Sequence, residues 1–335
     1  MKLDLSQIKS ITKGAVRITE ENGTYNFHRF TEEQEEMYKE RSADYYKKTF
    51  ATAGVKFLFE TDSKFIKLTG TVLSGSSRKY YSIDVFVNGK PVGYIDNFEN
   101  VELPVNYTTF DLPIGDFSKS ISLGEGVKTV CVYMPWSAAV KFEEISVADG
   151  SFVKGIKTDK KLLVFGDSIT QGYDALRPSN RYISRIAESI GAEEINKAIG
   201  GEVFWEDLAK TREDFIPDYI AVSYGSNDWN KRTKEDFEKS CREFYTSLRE
   251  NYPTAKIFAI SPIWRKDYKK EKKFGNFLDA EKFIKEVADS LDNVTFISGF
   301  NFVPHDEEYY ADLYLHPNDK GFNCHFESIS KELKK

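Results

Sequence analysis

From residue 160 onward, short apolar runs alternate with amphipathic stretches, and this alternation restricts the possible folds more than any other feature of the chain. Strand-like runs fall at residues 162–165, 194–196, 219–223, 256–260 and 294–297. Between them, residues 181–190 put Ile183, Ile186, Ala187 and Ile190 on one helical face, and two later stretches repeat the pattern with Phe237, Cys241, Phe244, Tyr245 and Leu248, then Phe283, Ile284, Val287 and Leu291. Strands alternating with helices of this length predict a mainly parallel sheet with helices on both faces, a three-layer α/β/α domain.

The chain before residue 150 has a different texture. Short alternating runs occur at 56–60, 65–72, 80–87, 91–95, 107–112, 121–123, 128–134 and 140–147. Asn88-Gly89 lies between two of them, a strong two-residue hairpin signal. Many short strands without a βαβ rhythm predict an all-β sandwich of jelly-roll type. Residues 10–30 read as further short strands. Thr31-Glu32-Glu33-Gln34 carries capping-box chemistry and leads into a charged segment, either a short helix or an exposed loop. Ala148-Asp149-Gly150-Ser151 reads as a turn into a linker. The expected division is a β-domain over residues 1–155, a candidate carbohydrate-contacting module, and an α/β domain over 156–335.

Composition narrows the partners. The net charge is −6 with no basic block, which argues against nucleic acid. No apolar run reaches membrane-spanning length, and the N-terminus lacks an apolar signal core, so a cytoplasmic protein without a membrane partner is expected. Cys131, Cys241 and Cys324 are far apart and have neither metal-type nor redox-type spacing. They are expected to be small buried thiols, and no cofactor or metal is implied.

Four separated pieces carry the chemistry. Gly166-Asp167-Ser168 directly follows the first strand-like run of the α/β half. Ile199-Gly200-Gly201-Glu202 follows the second, and Gly225-Ser226-Asn227-Asp228 the third. Asp312-Leu313-Tyr314-Leu315-His316-Pro317-Asn318 precedes the last helix. Each lies at the carboxyl end of a strand or after the last one, where open α/β sheets bind ligands. A serine is a weak nucleophile until a base takes its proton, and histidine's pKa suits that task near neutrality. A tetrahedral oxyanion needs fixed donors. The backbone N–H groups of Ser168 and Gly201 and the side-chain amide of Asn227 are of the right kind.

Taken in order, these pieces resemble the four blocks of the SGNH (GDSL) hydrolase superfamily over roughly the C-terminal half of the chain. The resemblance implies Ser168 as nucleophile, His316 as general base, and Ser168, Gly201 and Asn227 as the oxyanion hole, with Gly201 rather than Gly200 as the donor. Gly-x-Ser-x-Gly does not occur, so the α/β-hydrolase elbow is the poorer match. One position departs from the family. Its acid lies three residues before the histidine, whereas here Leu313 stands at that place and Asp312 is four residues away. Either a one-residue bulge lets Asp312 reach the imidazole, the favoured reading, or a backbone carbonyl orients it.

A jelly-roll-like domain ahead of the catalytic one is similar to the arrangement of two-domain carbohydrate acetylesterases. The aromatic content of 15% and a charged insertion at 266–273, unlike a lipase lid, point the same way. Trp264, after the fourth strand, and Trp136, in the β-domain, are candidate substrate-contacting residues. The expected activity is removal of O-acetyl groups from plant-derived oligosaccharides through an acyl-enzyme on Ser168. The alternatives are a general short-chain carboxylesterase or thioesterase, and an inactive carbohydrate-binding protein. Of the other histidines, His28 and His305 read as surface or packing residues and His325 as lying on the last helix, while Asp167 reads as a structural residue bonding turn amides. The sequence does not indicate an oligomeric state.

Overall fold

A computed structural model of the chain describes residues 1–333. It divides into two compact units: Met1–Thr158 with Leu176–Ser179, and Asp159–Ala175 with Asn180–Lys335. Among the described residues, no helix is long and apolar enough to cross a membrane.

Unit 1 contains strands β1 (Thr12–Lys13), β2 (Arg17–Glu21), β3 (Thr24–His28), β4 (Lys56–Thr61), β5 (Phe65–Ser74), β6 (Ser82–Val87), β7 (Lys90–Asp96), β8 (Asp116–Ser122), β9 (Lys128–Tyr133), β10 (Ala138–Val147) and β11 (Val153–Gly155). They form two antiparallel sheets, β1-β4-β9-β6-β7 with β11 on β4, and β2-β3-β10-β5-β8. The inner faces follow from period-two patterning. Along β5, Ile66, Leu68 and Val72 are buried while their neighbours are not, and β9 buries Val130 and Val132 in the same way. Phe57 from one sheet meets Phe27 and Phe142 from the other, with ring centroids 5.5 and 5.6 Å apart. Asn88 and Gly89 both have positive φ, 49° and 78°, and turn β6 into β7 with Val87 opposite Lys90.

One local expectation is corrected, and two local features go beyond the sequence reading. Residues 107–112 form no strand. They belong to an irregular segment between β7 and β8 that includes Pro104 and Pro113, each without an N–H to donate to a ladder. The segment after Thr31 is a pair of helices, α2 (Glu32–Arg41) and α3 (Ala43–Thr49), each N-capped by a hydroxyl, from Thr31 and Ser42. A helix not foreseen, α1 (Leu5–Ile11), starts with an Asp4–Gln7 capping box and buries Ile8 and Ile11.

Unit 2 is a parallel sheet of β12 (Lys160–Gly166), β13 (Ala192–Asn196), β14 (Tyr219–Ser223), β15 (Lys256–Ile260) and β16 (Val294–Ile297), in the order β13-β12-β14-β15-β16. Its helices are α4 (Ser168–Gln171), α5 (Tyr182–Ser189), α6 (Glu206–Lys210), α7 (Ser226–Lys231), α8 (Lys234–Asn251), α9 (Phe277–Asp289) and α10 (Asp319–Glu332). Alternate residues of β12 serve opposite layers. Phe165 packs edge-on against Phe244 of α8, with centroids 5.4 Å apart, and Leu162 lines an apolar cavity with Ile183 and Ile186 of α5 and Ile329 of α10. The strand order reverses between β12 and β14, and in doubly wound sheets this is where a crevice opens. The turns carrying Ser168 and Asn227 follow these two strands. The insertion at 266–273 forms turns rather than a helix, and Asp267 is drawn inward by Arg265 at 2.6 Å.

The second layer is tied by buried ion pairs. The Arg181 guanidinium holds the Glu194 carboxylate at 2.9 and 3.0 Å with both side chains about fully buried, and Ser184 Oγ donates to the same carboxylate at 2.5 Å. Burial pushes the Glu194 pKa up, but the Arg181 charge and the hydrogen bonds overcome it and hold the acid below its usual range. Removing one partner of such a pair leaves a buried charge. Arg181→Met is therefore expected to destabilise unit 2 by about 3–5 kcal/mol in denaturant unfolding. Arg181→Met/Glu194→Met should recover most of that loss, and a double mutant as unstable as the single would refute this account.

Candidate active site

Ser168 is the first residue of the four-residue helix α4, immediately beyond the end of β12. Asp167 is the N-cap, and its Oδ1 accepts the Ile169 N–H at 3.0 Å. This is the turn-bonding role expected of it. The cap fixes where the helix starts and so where the hydroxyl points. Ser168 Oγ donates to His316 Nε2 at 2.9 Å, and His316 Nδ1 donates to Asp312 Oδ2 at 2.7 Å. The three side chains from two distant segments thus form one continuous relay.

The unusual spacing is resolved by the backbone. Leu313 has φ +57°, a left-handed conformation uncommon for a residue with a side chain. The extra residue is taken up there, and the chain turns back so that Asp312 faces the imidazole. The same carboxylate holds the turn together. Its Oδ1 accepts the N–H groups of Tyr314, Leu315 and His316 at 2.9, 2.7 and 3.0 Å. Burial pushes the Asp312 pKa up, but the His316 bond and the Leu315 and His316 amides more than offset it, so the acid stays below its usual range and remains charged at neutral pH.

The remaining predicted donors gather around the same turn. The Gly200 N–H is committed to Gln171 Oε1 at 2.8 Å, and a Cβ on Gly200 would lie 2.4 Å from the Tyr173 hydroxyl oxygen. Gly200 is therefore required by close approach, and Gly201, with φ +90°, follows it. Asn227 sits in the first turn of α7. Its Nδ2 donates to Glu202 O at 3.0 Å and makes a longer contact of 3.4 Å to Asp167 Oδ2. Burial raises the Asp167 pKa to about 6, against the pull of the Ile169 amide and the His316, Arg265 and Lys231 charges. Burial likewise lifts Asp228, in the same helix turn, to about 7, opposed by Arg232 and the Phe204 amide.

The other candidates are placed differently. Trp264 is 7% exposed and packs against Tyr310 and His305, with ring centroids 5.1 and 5.4 Å away. Through Tyr310 it backs the loop that carries Asp312. Trp136 is 2% exposed inside unit 1 and meets Tyr80 edge-on. His325 is buried face to face with Tyr182, and its pKa is pushed down to about 3 by burial, so it stays neutral. His28 bonds Glu35.

Asp174 was not foreseen. Its Oδ2 lies 3.6 Å from His316 Nδ1, and its side chain is fully buried. The only sequence cue is an acid shortly after Gly172, and its direction depends on a positive φ of 74° that composition does not reveal. Asp174, Asp312 and His316 bring potential ligand atoms within 4.8 Å of one another. Both imidazole nitrogens already serve the relay, so a cation could enter there only by displacing the Asp312 bond.

A serine hydroxyl, an imidazole and a carboxylate thus stand in line at the switch point of the parallel sheet, an arrangement with the chemistry that serine-dependent ester hydrolysis requires. The family model of GDSL-like lipases and acylhydrolases matches residues 164–323, so unit 2 carries a GDSL-like lipase/acylhydrolase domain. No curated protein sequence matches the chain. Among solved structures, the chain is similar to a salicylyl-acyltransferase from a tetracycline biosynthetic pathway, at 18% identity and TM-score 0.78, covering 96% of this chain and 93% of that one. A GDSL-like lipase from Bacteroides ovatus is similar at 23% identity and TM-score 0.75, covering 98% and 97%. A family two carbohydrate esterase from Clostridium thermocellum, in complex with cellohexaose, is similar at 16% identity and TM-score 0.61, covering 85% and 93%. These likenesses extend over both units, and the two-part architecture of an antiparallel β unit before a parallel α/β unit is the expected one.

Two predictions follow from the geometry. Leu313→Gly fits the left-handed backbone and should keep kcat on an aryl acetate close to wild type, whereas β-branched Leu313→Val should lower it by about tenfold or more through misalignment of Asp312. Equal rates for the two variants would show that the turn does not set the relay. For Asp228, a raised native pKa means that the folded state binds the extra proton, so its contribution to stability is present below about pH 4 and lost as pH rises through about 7. Asp228→Asn should therefore raise stability at pH 8 by ~1–3 kcal/mol and change it little at pH 4, as measured by chemical denaturation.

Proposed function

We propose that the chain removes O-acetyl or other short acyl groups from carbohydrate by a two-step serine mechanism. The observation that carries the reading is the unbroken Ser168–His316–Asp312 relay, with its 2.9 and 2.7 Å bonds. Ser168 Oγ attacks the ester carbonyl as His316 Nε2 takes its proton. The tetrahedral oxyanion is received by the N–H groups of Ser168 and Gly201 and by Asn227 Nδ2, which gives up its long contact to Asp167 on doing so. The C–O bond to the alcohol then breaks, His316 returns the proton to the leaving oxygen, and an acyl-enzyme remains on Ser168. Water attacks it with His316 again as base, releasing the carboxylic acid. Asp312 keeps the imidazole in the tautomer that leaves Nε2 open to the serine proton, and stabilises the imidazolium.

The carbohydrate preference draws support from the fold. Solved structures of the same two-part architecture include carbohydrate esterases, one of them bound to cellohexaose, and the charged turns at 266–273 are unlike an apolar lid. A second reading, transfer of the acyl group to an alcohol other than water, is supported by the acyltransferase among the similar folds. Both share the acyl-enzyme.

Wild type should hydrolyse a short aryl acetate, and Ser168→Ala should lose about 10⁴-fold or more in kcat while still folding. Acetate release from acetylated xylo- or manno-oligosaccharides should exceed hydrolysis of acetyl-CoA, and an added sugar alcohol should not divert the acyl group. Inactivity of the wild type on every ester would refute the hydrolytic reading, faster acyl-CoA cleavage would make the protein a thioesterase, and diversion to the alcohol would favour transfer.

A further inference from the structure

The imidazole of His316 has a second carboxylate behind it. Asp312 Oδ2 lies 2.7 Å from Nδ1 and Asp174 Oδ2 lies 3.6 Å from the same atom. The two acids reach it from different parts of the chain. Asp312 belongs to the turn that carries His316 itself. Asp174 follows α4, the helix that begins with Ser168, and is separated from it only by Gly172, which closes the helix with φ +114°, and by Tyr173. The ring of Tyr173 lies over the imidazole at 5.7 Å with a tilt of 30°. The segment after the nucleophile therefore wraps the back of the base with one aromatic face and one carboxylate.

Two features set Asp174 apart from an incidental neighbour. Its side chain is fully buried, against 17% exposure for Asp312, so its field on the imidazole is the less screened of the two. Its backbone is held at φ +74°, a conformation that costs a residue with a side chain and that persists only where the surroundings enforce it. At 3.6 Å the pair is too long for a strong hydrogen bond but well within the range at which a charge acts on an imidazolium. The other groups facing this imidazole are Ser168 on Nε2, the Tyr173 ring, and the Asp167 carboxyl, whose pKa the His316 charge pulls down against its burial. Tyr310 in turn faces Asp312.

We propose that Asp174 is a second positioning acid of the relay: its carboxylate stabilises the imidazolium formed when Ser168 is deprotonated, and it receives the Nδ1–H bond when Asp312 is removed. The proposal rests on His316 acting as the general base. It gives the four-residue spacing between Asp312 and His316 a support that does not run through the Leu313 turn.

The test uses Asp174→Asn, Asp174→Gly, Asp312→Asn and the Asp174→Asn/Asp312→Asn double variant of the full chain. Asn and Gly both accept a left-handed backbone, so the Asp174 variants are expected to fold. Removing a negative charge from beside the imidazole disfavours its protonated form. Both Asp174 variants should therefore move the acid limb of kcat/KM on an aryl acetate to lower pH by on the order of one unit, and the NMR titration of the His316 ring should move with it. Asp312→Asn should lose about 10–100-fold in kcat, and the double variant should lose at least about tenfold more than the product of the two single effects. Two findings would overturn the proposal: an acid limb and ring titration left at the wild-type pH in both Asp174 variants, or a double variant equal to the product of the singles. Because the ring titration does not depend on turnover, a wild type without esterase activity would remove the hydrolytic reading while the NMR result still decides whether Asp174 acts on His316.

Discussion

The site depends on the two oxygens of one carboxylate. Asp312 Oδ1 gathers three successive amides, from Tyr314, Leu315 and His316, and Oδ2 receives the imidazole N–H. The backbone turn and the orientation of the base are therefore not separate properties. Any movement that opens the turn also swings the ring, and any rotation of the ring pulls on the oxygen opposite the one holding the turn. A charged acceptor satisfied by four donors loses little on leaving water, which is why this acid stays ionised although it is largely buried. Asp167, which accepts one backbone N–H and a long amide contact, lies in a comparably buried position and is pushed the other way, to about 6. The two carboxyl groups are thus shifted in opposite directions, Asp167 upward chiefly by its burial and Asp312 downward by the imidazole and amide donors that offset its own.

The sheet explains why these groups meet at all. With the order β13-β12-β14-β15-β16, the chain leaves β12 towards one side and β14 towards the other, and the crevice between them lies at their carboxyl ends. Ser168 follows β12 and the Asn227 helix follows β14, so neighbouring strands bring a serine hydroxyl and a side-chain amide to one edge of the sheet with few residues in between. His316 comes from the far end of the chain, before α10, whose start is fixed by the Asn318 cap on the Gly321 N–H.

Much of this could be read from the sequence because it rests on local rules. Apolar runs located all five strands of unit 2, and apolar periodicity the helices α5, α8 and α9. Asn88-Gly89 marked its hairpin because few other dipeptides accept two positive φ values in succession. The four polar blocks named Ser168, Gly201, Asn227 and His316, and role logic favoured Asp312 over a backbone carbonyl; the structure brings Asp312 to Nδ1. What escaped depends on direction rather than on residue type. The run at 107–112 had strand-like composition, but a strand needs a partner ladder and this segment has none among the described residues. Asp174 had the right chemistry but lies in a turn whose left-handed backbone decides where its carboxylate goes. Trp264 was placed correctly at the sheet edge, yet whether its ring faces a ligand or a neighbouring loop is set by His305 and Tyr310, more than forty residues away in the chain.

The bond from the Gly200 N–H to Gln171 Oε1 has a mechanical meaning. Gln171 is the last residue of the helix that Ser168 begins, and it is fully buried. Thr170, beside it, accepts the Asn196 amide through its backbone carbonyl. The end of β13 and the loop after it are therefore tied to the helix that Ser168 begins at two points. These bonds tie the segment around Gly200 to the segment around Ser168, so the two are constrained to move together. Such a clamp makes the alignment of Ser168 with that loop a property of the folded chain itself rather than one that a ligand must induce.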